Sequence, residues 1–196
     1  MKKILLLLFC IFLLSACALS NNPTSKVKDY LNQYKNLTEG VKLDLESKVA
    51  SENLSDEDKK TYRELLIKQY KSMEYEIKEE KINGDEATVN VKITVLDYFK
   101  AQKESDEYLQ NNLNNFYDTN QVFDDKLFNA YKIKKMSEIK DSVDYDIVFY
   151  LKKVDGQWKV EEPDRITLEK LHGLYDYTSN DWYSLLFNWL NIILLI

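Results

Sequence analysis

Few side chains in this chain belong to the types that carry out reactions. There are two cysteines and one histidine among 196 residues. Cys10 and Cys17 both lie in an N-terminal apolar run, so the body of the chain has no thiol for a disulfide, a thiolate metal site or a nucleophile. A Ser-His-acid triad would have only His172 to draw on, and no Gly-x-Ser-x-Gly elbow accompanies it. His172 is instead expected to be partly buried near a helix C-terminus, where the helix dipole favours the protonated ring. Asp118-Thr119-Asn120 starts like a calcium loop, but position 6 is Phe123 rather than Gly and position 12 is Asn129 rather than Glu. A looser cation site among Asp118, Asp124 and Asp125 is the remaining metal reading. Acid-base chemistry would need a carboxylate raised in pKa by an apolar pocket. Asp97, Tyr98, Asp144 and Tyr145 are the candidates, although Asp144 and Asp146 alternate with apolar neighbours and are expected to face water. No catalytic set, metal site or cofactor motif is assigned.

The cysteine that does point to chemistry is Cys17. Lys2-Lys3, an apolar run from Ile4 and small residues before the cut make residues 1–16 a secretory signal. Leu14-Ser15-Ala16-Cys17 closely resembles the lipobox of bacterial lipoproteins. That resemblance implies cleavage between Ala16 and Cys17, a diacylglycerol thioether on Cys17 and a further acyl chain, such as palmitate, on the new amino terminus. Two or more acyl chains hold a protein stably on a bilayer. The implied address is the extracytoplasmic face of the cell membrane, with the lipid as the first partner. An ordinary secretory signal with an incidental cysteine is the alternative.

Residues 17–24 read as a tether, residues 25–176 as one domain and residues 177–196 as an apolar tail. The 27 basic and 33 acidic residues are interspersed, which argues against nucleic acid as a partner. In the tail, Trp182 to Ile196 carry no charge. As a helix those residues would reach about 22 Å, short of the roughly 30 Å hydrocarbon core. An interfacial helix, a docking segment and an altered terminus are three readings of it.

The domain's elements follow from periodicity. Val27, Tyr30, Leu31, Tyr34, Leu37, Val41, Leu45 and Val49 predict one helix over about 25–49, with Gly40 as its expected point of bending or interruption. Ser55 caps a second helix whose inner face is Tyr62, Leu65, Leu66, Gln69, Tyr70 and Met73. Tyr75, Ile77 and Ile82 lead into an Asn83-Gly84 turn, and Val89 to Val95 alternate beyond it. Residues 98–138 read as mostly helical, with a loop over 111–120 and Asp124 as a cap. Val143 to Leu151 form a long strand, Asp155-Gly156 turns it, and Trp158 and Val160 follow. Pro163-Asp164 opens a short helix that Gly173 stops.

The fold class is therefore α+β, with a curved antiparallel sheet of about four strands packed on N-terminal helices. This order of elements resembles the nuclear transport factor 2-like superfold, a cone of sheet around helices. Tyr75-x-Ile77, Asn83-Gly84, Asp97-Tyr98, Asp155-Gly156-x-Trp158 and His172-Gly173-x-Tyr175 resemble uncharacterised lipoproteins of Gram-positive bacteria. The resemblance implies a concave interior as binding site. The leading expectation is a non-catalytic domain that binds an envelope protein or small ligand. An isomerase- or dehydratase-like enzyme using Asp97, Asp144 or Tyr98 is the second reading, and a scaffold for an envelope complex the third.

Overall fold

The computed structural model describes residues 21–178. The expected signal and lipid attachment at Cys17 lie outside the described residues, as does the tail from residue 179 onward. The first helix begins at Pro23, two residues before its expected start, and the stripe beyond it is divided between two helices. Helix α1 spans Pro23–Lys35 and α2 spans Glu39–Ser51. The break falls at 36–38 and not at Gly40, which sits in the first turn of α2. Leu37 takes φ 49°, its N–H donates to the Tyr34 carbonyl, and the Thr38 N–H reaches back to Gln33. This is the Schellman closure, made here without glycine. Leu37 packs partly buried against the core, which holds it in a left-handed conformation that the side chain disfavours.

Helix α3, Asp56–Ser72, starts where expected: the Ser55 hydroxyl accepts the Asp58 N–H at 3.1 Å, and three acids occupy the first turn. Its inner face buries Tyr62, Leu65, Leu66, Gln69 and Tyr70, and Met73 follows, fully buried. Strands β1, Glu74–Asn83, and β2, Glu86–Leu96, pair antiparallel. Their two-residue loop is Gly84-Asp85 rather than Asn83-Gly84, because Asn83 still pairs with Glu86. Glycine in the first loop position, at φ 63°, is what a II′ turn requires. A bulge between Ile77 and Glu79 resolves the odd spacing of Ile77 and Ile82. It keeps Glu80 and Ile82 opposite the inward Val89 and Ala87, although Ile82 lies beyond the core and is exposed.

Helix α4, Tyr98–Asn111, is followed by a 3-10 turn over Leu113–Phe116, within the stretch expected as loop. Phe116 is buried there among Tyr108, Phe128 and Tyr131, with Tyr108 stacked on Tyr131 at 4.9 Å. Helix α5, Asp125–Glu138, begins at Asp124, whose carboxylate accepts the Lys126 and Leu127 N–H groups. Strand β3, Ser142–Val154, runs beside β2, and β4, Gln157–Val160, closes the order β1-β2-β3-β4. Helix α6, Arg165–His172, is capped by Asp164 and ends on Gly173 at φ 69°.

The architecture is thus α+β: a four-stranded antiparallel sheet with one face covered by helices. Val89, Val91, Ile93 and Val95 of β2 and Tyr145, Ile147, Phe149 and Leu151 of β3 form the inner face. They pack with Val27 and Leu31 of α1 and Leu65 and Leu66 of α3 in one continuous core. Each such aliphatic side chain contributes about 1.5–3 kcal/mol when fully buried.

Gln69 is the one polar side chain deep in the contact between α3 and the sheet. Its Nε2 donates to the Leu96 carbonyl and its Oε1 accepts the Leu96 N–H, both at 2.9 Å. β1 pairs only as far as Thr94 of β2, so this amide supplies the next rung of the ladder. Replacing Gln69 with Leu leaves both Leu96 groups without that partner, at roughly 1–3 kcal/mol for each orphaned group. Urea unfolding should show Gln69→Leu destabilised by at least about 2 kcal/mol with an unchanged denaturant slope. A loss within about 0.5 kcal/mol, typical of ordinary surface substitutions, would contradict this role.

Candidate functional site

The four side chains singled out for acid-base chemistry do not converge. Asp97 is buried at the junction of β2 and α4, where it caps the helix. Its Oδ1 accepts the Lys100 N–H at 3.0 Å and its Oδ2 accepts the Tyr177 hydroxyl at 3.1 Å. Tyr98 enters the core, where its hydroxyl donates to the Leu65 carbonyl at 3.0 Å. Burial pushes its pKa well above the ordinary tyrosine range. Tyr145 is also buried; its hydroxyl reaches the Tyr175 carbonyl at 3.4 Å. Asp144 stands on the other face of the sheet, in solvent, and meets Lys92 and Thr94, each at 2.6 Å. The Lys92 ammonium, followed by the Thr94 hydroxyl, holds its carboxyl below the usual range.

The enzyme reading drew on Asp97, Asp144 or Tyr98 inside the cone, and a site shared by all three would need them on one face. The period-two alternation of β3 sends Asp144 to the opposite face, so that grouping is not formed. Asp118 spends its carboxylate on the Asn120 and Val122 N–H groups. Asp124 spends its own on a helix cap. Among the described residues no group of three or more His, Cys, Asp or Glu side chains is placed to hold a metal ion, which removes the looser cation site.

The concavity with an aromatic lining lies elsewhere. A groove of about 770 Å³ runs between α1 and α2 on one side and the β4–α6 connection on the other. Tyr30, Tyr34, Tyr70 and His172 line it, with Asp44, Lys48, Glu162 and Arg165 also at its wall. The spacing i, i+4 puts Tyr30 and Tyr34 on one side of α1, and their hydroxyls lie 3.1 Å apart. Tyr34 meets Tyr70 edge-on at 5.2 Å, and Tyr70 leans on the His172 ring at 5.7 Å. Tyr30 continues the contact to Phe149 of the core.

Desolvation raises the pKa of Tyr30, Tyr34 and Tyr70, so all three are protonated hydroxyls at neutral pH. They can donate hydrogen bonds; they are not bases. His172 departs from the expectation of a dipole-stabilised cation. Burial, with the nearby Lys48 charge adding to it, pushes its pKa down to about 3. The loss of hydration outweighs the attraction of a helix terminus. The groove therefore sets uncharged rings among six charged side chains, Asp44, Lys48, Glu161, Glu162, Arg165 and Glu169.

In the sequence Tyr30, Tyr34 and Tyr70 read as parts of apolar helix faces, and His172 as a partly buried residue near a helix C-terminus. The Tyr30-x-x-x-Tyr34 spacing is a signal of shared facing. It does not say that Tyr70 and His172 will complete the same wall.

No family model matches the chain, and no curated protein matches it. Among solved structures the chain is similar to that of a candidate lipoprotein (ycdA) from Bacillus subtilis subsp. subtilis str. 168, at 15% identity and a TM-score of 0.37. The likeness covers 79% of this chain and 48% of that one, so this chain spans about half the length of that structure.

His172 makes stability depend on pH in a stated direction. Its pKa is about 6.5 when unfolded and about 3 in the fold, so the unfolded chain binds the extra proton first. The stability from this group is complete above pH 6.5 and is lost as the pH falls toward 3. Thermal melts at pH 7 and pH 5 should show a clear drop in Tm. His172→Phe, which keeps a ring against Tyr70, should show a smaller one. Equal drops in both proteins would rule out this linkage.

Proposed function

We propose that this chain is an extracytoplasmic lipoprotein, held to the membrane by a thioether-linked lipid on Cys17, whose folded part binds a small ligand or envelope protein without catalysis. The address rests on Lys2-Lys3, the apolar run from Ile4 and Leu14-Ser15-Ala16-Cys17. The binding role rests on the groove lined by Tyr30, Tyr34, Tyr70 and His172. The nuclear transport factor 2-like cone is a finer reading of the α+β architecture and belongs to the same proposal. In that reading the inner face of the sheet is taken up by packing, and recognition moves to the groove at the helix side.

Two observations favour binding over chemistry. The groove's tyrosines and its histidine are all held in their neutral forms, so none of them is poised to move a proton at neutral pH. The buried carboxylate that an isomerase-like site would use, Asp97, already has both oxygens engaged by Lys100 and Tyr177.

The address and the role are tested separately. Cys17→Ser should move the protein from the membrane fraction to the soluble fraction of its host, and mass spectrometry should find the wild-type sulfur alkylated by lipid. An unmodified thiol in membrane-bound protein would overturn the address. Aromatic and hydroxylated fragments, screened by NMR against the soluble protein, should shift Tyr30, Tyr34 and Tyr70 before any other tyrosine ring. Hits that perturb Tyr98 and Tyr145 and spare the groove would favour chemistry beside Asp97 instead.

A further inference from the structure

Resting on the Cys17 anchor proposed above, we infer that the domain stands on end on the bilayer, with the Gly84-Asp85 and Asp155-Gly156 turns facing the lipid headgroups. The decisive residue is Asn21. Its Nδ2 donates to the Gly156 carbonyl at 2.9 Å, and its Oδ1 accepts the Trp158 N–H at 3.0 Å. The chain is thus fixed to the β3–β4 hairpin four residues after Cys17. Four residues reach at most about 14 Å even when fully extended. A lipid on Cys17 therefore keeps the Asn21 end of the fold within that distance of the headgroups.

Both hairpin turns belong to this end. The Lys153 N–H donates to the Asp85 carbonyl at 2.8 Å, which ties one turn to the other. Glu80 of β1 accepts the Thr24 N–H at 2.8 Å, which fixes the start of α1 at the same end. The surface there is mixed in charge. Lys81 pairs with Glu79 at 3.0 Å and Lys152 with Glu161 at 2.8 Å, while Lys153 and Lys159 stand among Glu80, Asp85, Glu86 and Asp155. Ile82 and Val154 are large aliphatic side chains left 54% and 42% exposed beside the turns. Exposed aliphatic groups suit the interface below the headgroups.

The opposite end is built from Leu96, Asp97 and Ser142, where β2 finishes and β3 begins. Eleven residues of β2 separate the two ends by about 33 Å. Tyr177 is bound to Asp97 at that far end, so Thr178 is held far from the tether. The groove lies on the flank between the ends, which leaves its mouth open to the side rather than pressed on lipid.

The test uses full-length lipidated protein in phosphatidylglycerol-containing vesicles that carry a headgroup-nitroxide lipid. Lipid blocks the Cys17 sulfur and Cys10 leaves with the signal, so an added cysteine is the one thiol available for a fluorophore. Labels at Gln157→Cys, Val148→Cys and Lys140→Cys report the turns, the outer sheet face and the far end. Quenching should be several-fold stronger at 157 than at 140, with 148 between them. Inserting a flexible Gly-Ser spacer after Ser20 should weaken quenching at 157 while flotation with vesicles is retained. Floating protein with equal quenching at all three sites, or strongest quenching at 148, would overturn the end-on placement and leave the anchor standing. Protein that fails to float would overturn the anchor itself and the placement with it.

Discussion

One buried amide sets where the other parts of this fold can be. Gln69 lies on α3, is fully buried, and completes the hydrogen bonding of Leu96 where β1 no longer reaches. A hydrophobic residue there would bury as well, but it would leave a strand end unpaired in the interior. Gly173 closes over the same amide: a Cβ at that position would collide with the Leu96 carbonyl oxygen and with Gln69 Nε2. Its φ of 69° independently asks for glycine. The Gly173 carbonyl then accepts the Phe99 N–H at 2.7 Å. Four elements, α3, β2, α4 and α6, are thereby registered to one another at one point. The groove inherits its shape from this node, because the end of α6 determines how His172 meets Tyr70.

Much of this was legible from residue order. The inner face of α3 matched its buried residues, Gln69 included. The inward set of β2 and β3 followed from alternation, and the Ser55, Asp124 and Asp164 caps lay where short polar side chains precede helical runs. Gly173 marked a true helix end. These features are local: each depends on neighbours within one or two turns or within one hairpin.

What escaped the sequence depends on contacts between distant segments. The division of the first stripe at Leu37 was hidden because Tyr34, Leu37 and Val41 keep three-and-four spacing across the break. A leucine at positive φ carries no compositional mark; its packing against the core and the Schellman hydrogen bonds around it hold it there. The bulge after Ile77 was equally silent, although the odd interval between Ile77 and Ile82 was its trace. The groove joins α1, α2, α3 and α6, segments separated by as many as 142 positions between Tyr30 and His172. Periodicity reports which face of an element is apolar. It does not report that two such faces leave a gap where they meet.

The tyrosines explain how a domain with no thiol-based staple keeps a ring-lined surface. A phenylalanine in their place would pack as well but could not bond at its tip. Tyr98, Tyr145 and Tyr177 each spend the hydroxyl on a carbonyl or carboxylate, and Tyr30 and Tyr34 spend theirs on each other. No buried side-chain nitrogen or oxygen lacks a partner among the described residues. The Tyr30–Tyr34 pair differs in one respect. It joins two uncharged hydroxyls to each other at the wall of the groove. The neutral His172 ring reports the same thing from the other wall: the environment disfavours charge so strongly that a helix C-terminus does not restore it. The same wall carries Asp44, Lys48, Glu161, Glu162, Arg165 and Glu169, so the uncharged rings are set among charged side chains.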